Sequence, residues 1–176
     1  MKRKDAKITM LVHSEAKVEF FRKYLERYIR IIGLSGRFAE INIFDVFCGT
    51  GIYDNGKKGS PIAAFDVVRS FRNEYPNSAS VGINLFVNDS ARDKVELVKE
   101  YIEAENAEYC FGSYTTESAE VNFKTIADTI ERQGNNSRNL IFIDPYGYKE
   151  IDRTAIERLL QNGRSEVILF LPISYM

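Results

Sequence analysis

At 176 residues, with 44% apolar and 28% charged side chains, the chain has the size and composition of one soluble domain with a sizeable core. No apolar run approaches the ~20 residues that span a bilayer, and Met1-Lys2-Arg3-Lys4-Asp5 leads into no signal-peptide core, so the chain reads as cytoplasmic. Two cysteines, Cys48 and Cys110, and a single histidine, His13, argue against a disulfide framework and a structural zinc site, and no metal is expected.

The net charge of −1 conceals a division: residues 1–37 carry +6 and the remainder −7. The chain therefore divides into a basic helical segment, 1–37, and an α/β body, 38–176, within one structural domain. A basic arm on an acidic body marks either a nucleic-acid contact or a solvated helix face, and composition leaves both open.

The elements follow in order. Ser14 is placed to cap a helix running to Ile32, with Val18, Phe21, Leu25, Tyr28, Ile29 and Ile32 on one apolar face and Lys17, Arg22, Lys23, Arg27 and Arg30 largely off it. A strand from Ile41 leads into a glycine-bearing loop, 49–59, and Ser60 as N-cap with Pro61 at the first position starts a helix to Glu74. Strands are expected at 81–88, 108–112, 140–144 and 166–171. Helices are expected at 90–105, with Val95, Leu97, Val98 and Ile102 inward, at 119–133, with Val121, Phe123, Ile126, Ala127 and Ile130 inward, and at 154–161. This alternation implies a largely parallel sheet with helices on both faces. It also implies that the Ile41 and Leu140 strands are neighbours, bringing Asp45, Gly49 and Asp144 to one edge.

The most informative run is Ile41 to Gly51, Ile-Asn-Ile-Phe-Asp-Val-Phe-Cys-Gly-Thr-Gly. A buried-strand pattern carries the carboxylate of Asp45 and breaks at Gly49-Thr50-Gly51, where glycines let the backbone turn and approach a ligand. The order Asp-x-Phe-x-Gly-x-Gly resembles the first motif of class I methyltransferases that use S-adenosylmethionine. A dinucleotide fingerprint is spoiled by Asp54 in place of a third small residue. Gly51-Ile52-Tyr53-Asp54-Asn55-Gly56-Lys57 fits the G-x-x-x-x-G-K of a P-loop, but Lys58 stands where a magnesium-binding hydroxyl belongs and Gly59-Ser60-Pro61 delays the helix. Nucleotide hydrolysis is therefore a minor alternative. Lys57 and Lys58 in this loop read as a phosphate contact or as a solvated tip.

A second motif, Ile143-Asp144-Pro145-Tyr146-Gly147-Tyr148, follows the most apolar strand. It resembles the Asp-Pro-Pro-aromatic loop of amino-group methyltransferases, and more closely the Asp-Pro-Phe-Gly loop of tRNA guanine dimethyltransferases. His13 reads as a surface or capping residue, since nothing local ties it to Asp144.

Taken in order, His13-Ser14-Glu15-Ala16-Lys17, Tyr24-Leu25, Asp45 to Gly51, Gly59-Ser60-Pro61 and Phe142 to Gly147 resemble the three-Cys-motif partner (TcmP) family along essentially the whole chain. The resemblance implies a Rossmann-like class I methyltransferase fold, a bacterial or phage-associated protein, and a partner carrying a three-cysteine motif. It implies S-adenosylmethionine as cofactor, held by Asp45, Phe47, Gly49 and Gly51, with Asn88 or Asp89 at the ribose and Ser113 near the adenine. Asp144, Pro145 and Tyr146 would orient an exocyclic amine of nucleic acid. Two departures stand out. The ribose acid is replaced by Asn88, with Asp89 one residue late, and Ser113 replaces the acid beside the adenine; neither Asn88 nor Ser113 gives a charge-assisted bond. A full core of this class adds two further strands, so this chain is expected to be truncated or to have its sheet edge completed by a partner. A catalytically silent module that binds the three-Cys partner or nucleic acid is the alternative.

Overall fold

A computed structural model describes residues 9–147 and 151–171. The basic residues Lys2, Arg3, Lys4 and Lys7, Tyr148, and residues 172–176 lie outside them. Five strands, β1 (Glu40–Asp45), β2 (Gly82–Asn88), β3 (Phe111–Thr115), β4 (Ser137–Ile143) and β5 (Ser165–Leu169), pair in the order β3-β2-β1-β4-β5. Every pairing is parallel, so all five strands end at one edge. Five helices accompany them: α1 (Val12–Gly33), α2 (Ser60–Glu74), α3 (Arg92–Glu105), α4 (Ala119–Arg132) and α5 (Arg153–Leu160). This is a Rossmann-like α/β fold, and β1 and β4 are adjacent as the alternation implied.

Alternation along the strands divides the core into two layers. Ile41 and Ile43 of β1, with Leu85, Val87, Leu140 and Phe142, pack against α1, α2 and α3. Phe44 and Val46, with Ile141 and Ile143, pack against α4 and α5. On the first face Phe21 of α1 stacks on Phe142, ring centroids 4.2 Å apart. On the second, Phe44 stacks on Phe86 at 4.5 Å. Segment 12–33 thus belongs to the main core and is no detached arm. Near the start of the strands Asn84 donates to Asn42 (2.7 Å) and Asn42 to Asn139 (3.1 Å), a buried polar rung across the three central strands. Its partners satisfy one another, which makes polar groups tolerable there.

Several boundaries differ from the sequence expectation. Helix α1 begins at Val12 with Leu11 as an N-cap lacking a side-chain bond, so Ser14 lies inside the first turn. Gly59, not Ser60, is the N-cap of α2. Strand β3 lies three residues later than expected, because Asn106 folds Tyr109 and Cys110 into a turn through bonds to both amides. Leu97 and Val121, expected inward, are exposed, since the inward arcs of α3 and α4 are filled by Val95, Val98, Ile102, Phe123, Ile126 and Ile130.

Gly49 and Gly51 both have positive φ, +61° and +74°. A Cβ at Gly51 would lie 2.6 Å from Val98 and 3.3 Å from Ile62, whereas one at Gly49 meets nothing nearer than 3.7 Å. Gly51→Ala adds overpacking to backbone strain and is expected to cost ~2–4 kcal/mol. Gly49→Ala carries the strain alone, ~1–2 kcal/mol. Urea unfolding of the two variants checks the order.

Candidate functional site

Because β1 and β4 run parallel with Asp45 opposite Phe142, the chain leaves both strands side by side. The turn at Gly49, the loop Asp144-Pro145-Tyr146 and the first turns of α1 enclose a cleft of about 470 Å³. Phe47, Gly49, Ser60, Asp144 and Tyr146 line it, and α1 contributes His13, Ser14 and Lys17. The sequence-derived acceptor residues and the glycine turn therefore meet. Gly51 does not line the cleft; it is packed beneath, against Val98 and Ile62.

Asp45 is 1% exposed, and neither carboxylate oxygen has a hydrogen-bond partner among the described residues. It does not line the cleft but touches a separate cavity of about 230 Å³, and three residues that do line the cleft, Ser60, Phe47 and Asp144, are its electrostatic neighbours. Burial raises its pKa to about 7; the Ser60 hydroxyl and the Phe47 amide pull the other way without closing a hydrogen bond, and Asp144 and Asp89 add to the rise. A buried carboxylate without a partner is costly, and such groups in folded proteins usually have a stated use.

The neighbouring acid is already engaged. Asp89 accepts from the Gly49 amide at 3.1 Å and the Ala91 amide at 2.9 Å, and it pairs with Lys94 at 3.7 Å. It fixes the glycine turn and the start of α3. Lys94 continues the chain of contacts, donating to the Tyr146 hydroxyl at 3.1 Å with its ammonium 5.0 Å from the ring centre. Burial draws the Lys94 pKa down, but Tyr146 and Asp89 outweigh it and the net shift is upward. Lys94 thus ties the Tyr146 loop to the glycine turn, while Tyr146 itself remains 67% exposed.

Asn88 is fully occupied: its amide nitrogen donates to the carbonyls of Val46 and Glu117, and its oxygen accepts from the Thr115 hydroxyl and the Glu117 amide. It lines a second groove of about 510 Å³ along the same edge, shared with Phe47, Ser90, Glu117 and Ser118. Ser113 lies outside both spaces. It lines a third cavity, about 230 Å³, on the α4 side of the sheet.

Sequence reasoning missed the side of the cleft that α1 supplies. Lys17 donates to Asp144 Oδ1 at 2.7 Å across 127 positions, and His13 and Ser14 line the same space. The available signal was the four-residue spacing of His13 and Lys17, which puts both on one helix face. The Lys57 and Lys58 loop, by contrast, closes on itself. Tyr53 donates to the Lys57 carbonyl and Gly59 to that of Gly51, while Lys57 pairs with Glu15 and Lys58 with Asp66, each at 2.5 Å. On α1, Arg22 pairs with Glu19 and Glu26, and Arg30 with Glu74.

Among the described residues, no helix is long and apolar enough to cross a membrane, and no group of three His, Cys, Asp or Glu is placed to hold a metal. The fold and cleft define a Rossmann-like α/β protein whose candidate site lies where β1 and β4 end, at the carboxyl edge of a parallel sheet. Compared with known proteins, the chain matches no protein-family model and no curated protein.

The raised Asp45 pKa makes a signed prediction. Between the unfolded value near 3.8 and the folded value of about 7 the folded state binds more protons, so the Asp45 contribution to stability falls as pH rises through that window. Asp45→Asn is therefore expected to stabilise the ligand-free protein by ~2–4 kcal/mol above pH 7, the gain shrinking toward pH 4. Denaturant titrations at pH 5 and pH 8 measure it.

Proposed function

We propose that the cleft binds the methionine end of S-adenosylmethionine and that the protein is methyltransferase-like, acting on an exocyclic amine of nucleic acid. The observation that carries this reading is Asp45: a buried carboxylate with no hydrogen-bond partner among the described residues, neighboured by Ser60, Phe47 and Asp144 of the cleft where a glycine turn meets Asp144-Pro145-Tyr146. A cationic ligand group in that cleft would supply the missing countercharge. Gly49 offers backbone without a side chain to a close-lying ligand. The second groove, past Phe47 and bounded by Ser90, Glu117 and Ser118, would take the adenosyl half.

The bound cofactor would supply an electrophilic methyl group on its sulfonium. The protein's part is to hold and orient the acceptor. The Asp144 carboxylate would accept a hydrogen bond from the amine and leave its lone pair directed at the methyl group. Pro145 fixes the turn after β4. The exposed Tyr146 ring, held by Lys94, is available to stack on a base taken out of its helix.

A silent module that binds nucleic acid or a three-Cys partner is the second reading, and a specific observation supports it. Asn88 and Asp89 are spent on internal bonds, so neither stands free for ribose hydroxyls. The P-loop reading is disfavoured by geometry, because amides that would cradle phosphate close a hairpin and α2 starts only at Ser60. The internally paired arginines of α1 likewise oblige any phosphate to compete with Glu19, Glu26 and Glu74.

Calorimetry with S-adenosylmethionine separates the two main readings. The methyltransferase reading expects binding that is about tenfold weaker at pH 6 than at pH 8, as Asp45 takes up its proton. It also expects at least ~10-fold loss in Asp45→Asn, with Lys57→Ala unchanged. Absence of binding by the wild-type protein at both pH values leaves the silent module as the better reading.

A further inference from the structure

Lys17 reaches from the first turns of α1 into this site. Its ammonium lies 2.7 Å from Asp144 Oδ1, and the other side of the ammonium faces the Phe170 ring, 5.6 Å from its centre. Both partners are only about a quarter exposed, at 27% and 24%. The geometry behind the pair is rigid. Phe21, one turn after Lys17, stacks on Phe142, two residues before Asp144, so α1 is locked over the end of β4. Among the described residues lining the cleft, Lys17 is the one lysine or arginine, and it pairs with Asp144. Among the described residues Lys17 engages Oδ1 of Asp144 and none donates to Oδ2.

We infer that Lys17 is a positioning residue: it clamps Asp144 through Oδ1 so that Oδ2 is presented to the acceptor amine. The inference rests on the methyltransferase reading and deepens it on the acceptor side. A neutral exocyclic amine brings no charge to replace an ammonium beside a carboxylate, so the acceptor joins the pair at Oδ2 and does not displace Lys17 from Oδ1. A carboxylate free to rotate would sample orientations that do not hold the amine in line with the methyl group, and small misplacements are expensive in rate.

The test uses the full chain, labelled S-adenosylmethionine, and in-vitro-transcribed RNA and unmodified duplex DNA as acceptor probes. Lys17→Met is expected to lower acceptor kcat/KM by ~10–100-fold while the calorimetric Kd for S-adenosylmethionine stays within about twofold. Lys17→Arg, which keeps the charge and a donor, is expected to return the rate to within about fivefold of wild type. In an Asp144→Asn background Lys17→Met should cause no further loss, because both changes remove one unit. An active wild type whose Lys17→Met variant is equally active overturns the positioning role alone. So does a parallel loss of cofactor affinity, or a failure of Lys17→Arg to rescue. A wild type that neither binds S-adenosylmethionine nor transfers a methyl group to either probe overturns the underlying reading, and the inference with it.

Discussion

The central strand β1 ends in a carboxylate that the fold removes from water without giving it a partner. Asp45 follows Ile41 and Ile43 on the face packed against α1, α2 and α3, and it is almost fully buried there. The parallel register places the start of the Asp144 loop next to it, and Ser60 at the start of α2 stands across from it. A leucine at position 45 would satisfy the core better in isolation, since a buried polar group without a partner is a stability cost.

Two further sets of contacts make the edge rigid. One runs from Gly49 through Asp89 and Lys94 to Tyr146, so the turn after β1 and the loop after β4 are held by a shared acid and a shared lysine. The other runs through the Phe21–Phe142 stack to the Lys17–Asp144 pair, and couples α1 to the same loop. Together they tie the turn after β1, the loop after β4 and α1 to one another around the cleft. Such preorganisation allows a site to orient a ligand without reorganising at the moment of reaction.

The fold was legible because periodicity and punctuation are local. Ile41–Phe44 and Leu140–Ile143 announce buried strands, and glycine or proline marks most element ends. The polar beginning of β4, Ser137-Arg138-Asn139, was not legible. Asn139 is buried only because Asn42 and residues near the start of β5 stand opposite to satisfy it, a relation no window of sequence contains. Edge strand β3 was misplaced for a related reason: the apolar-looking Tyr109-Cys110 is a turn organised by the Asn106 side chain. Within the candidate site, Asp45, Gly49 and Asp144 could be read from motifs. The engagement of Asp89 with Gly49 and the reach of Lys17 to Asp144 are tertiary facts, joining residues 40 and 127 positions apart.

The most direct measurement is a crystal structure of the protein with S-adenosylmethionine. The methionine ammonium is expected in the cleft, within ~4–6 Å of the Asp45 carboxylate, with the methyl group facing Asp144 and the adenosyl half beyond Phe47. A cofactor bound elsewhere, or a cleft that remains empty at saturating cofactor with Asp45 still unpartnered, would contradict it.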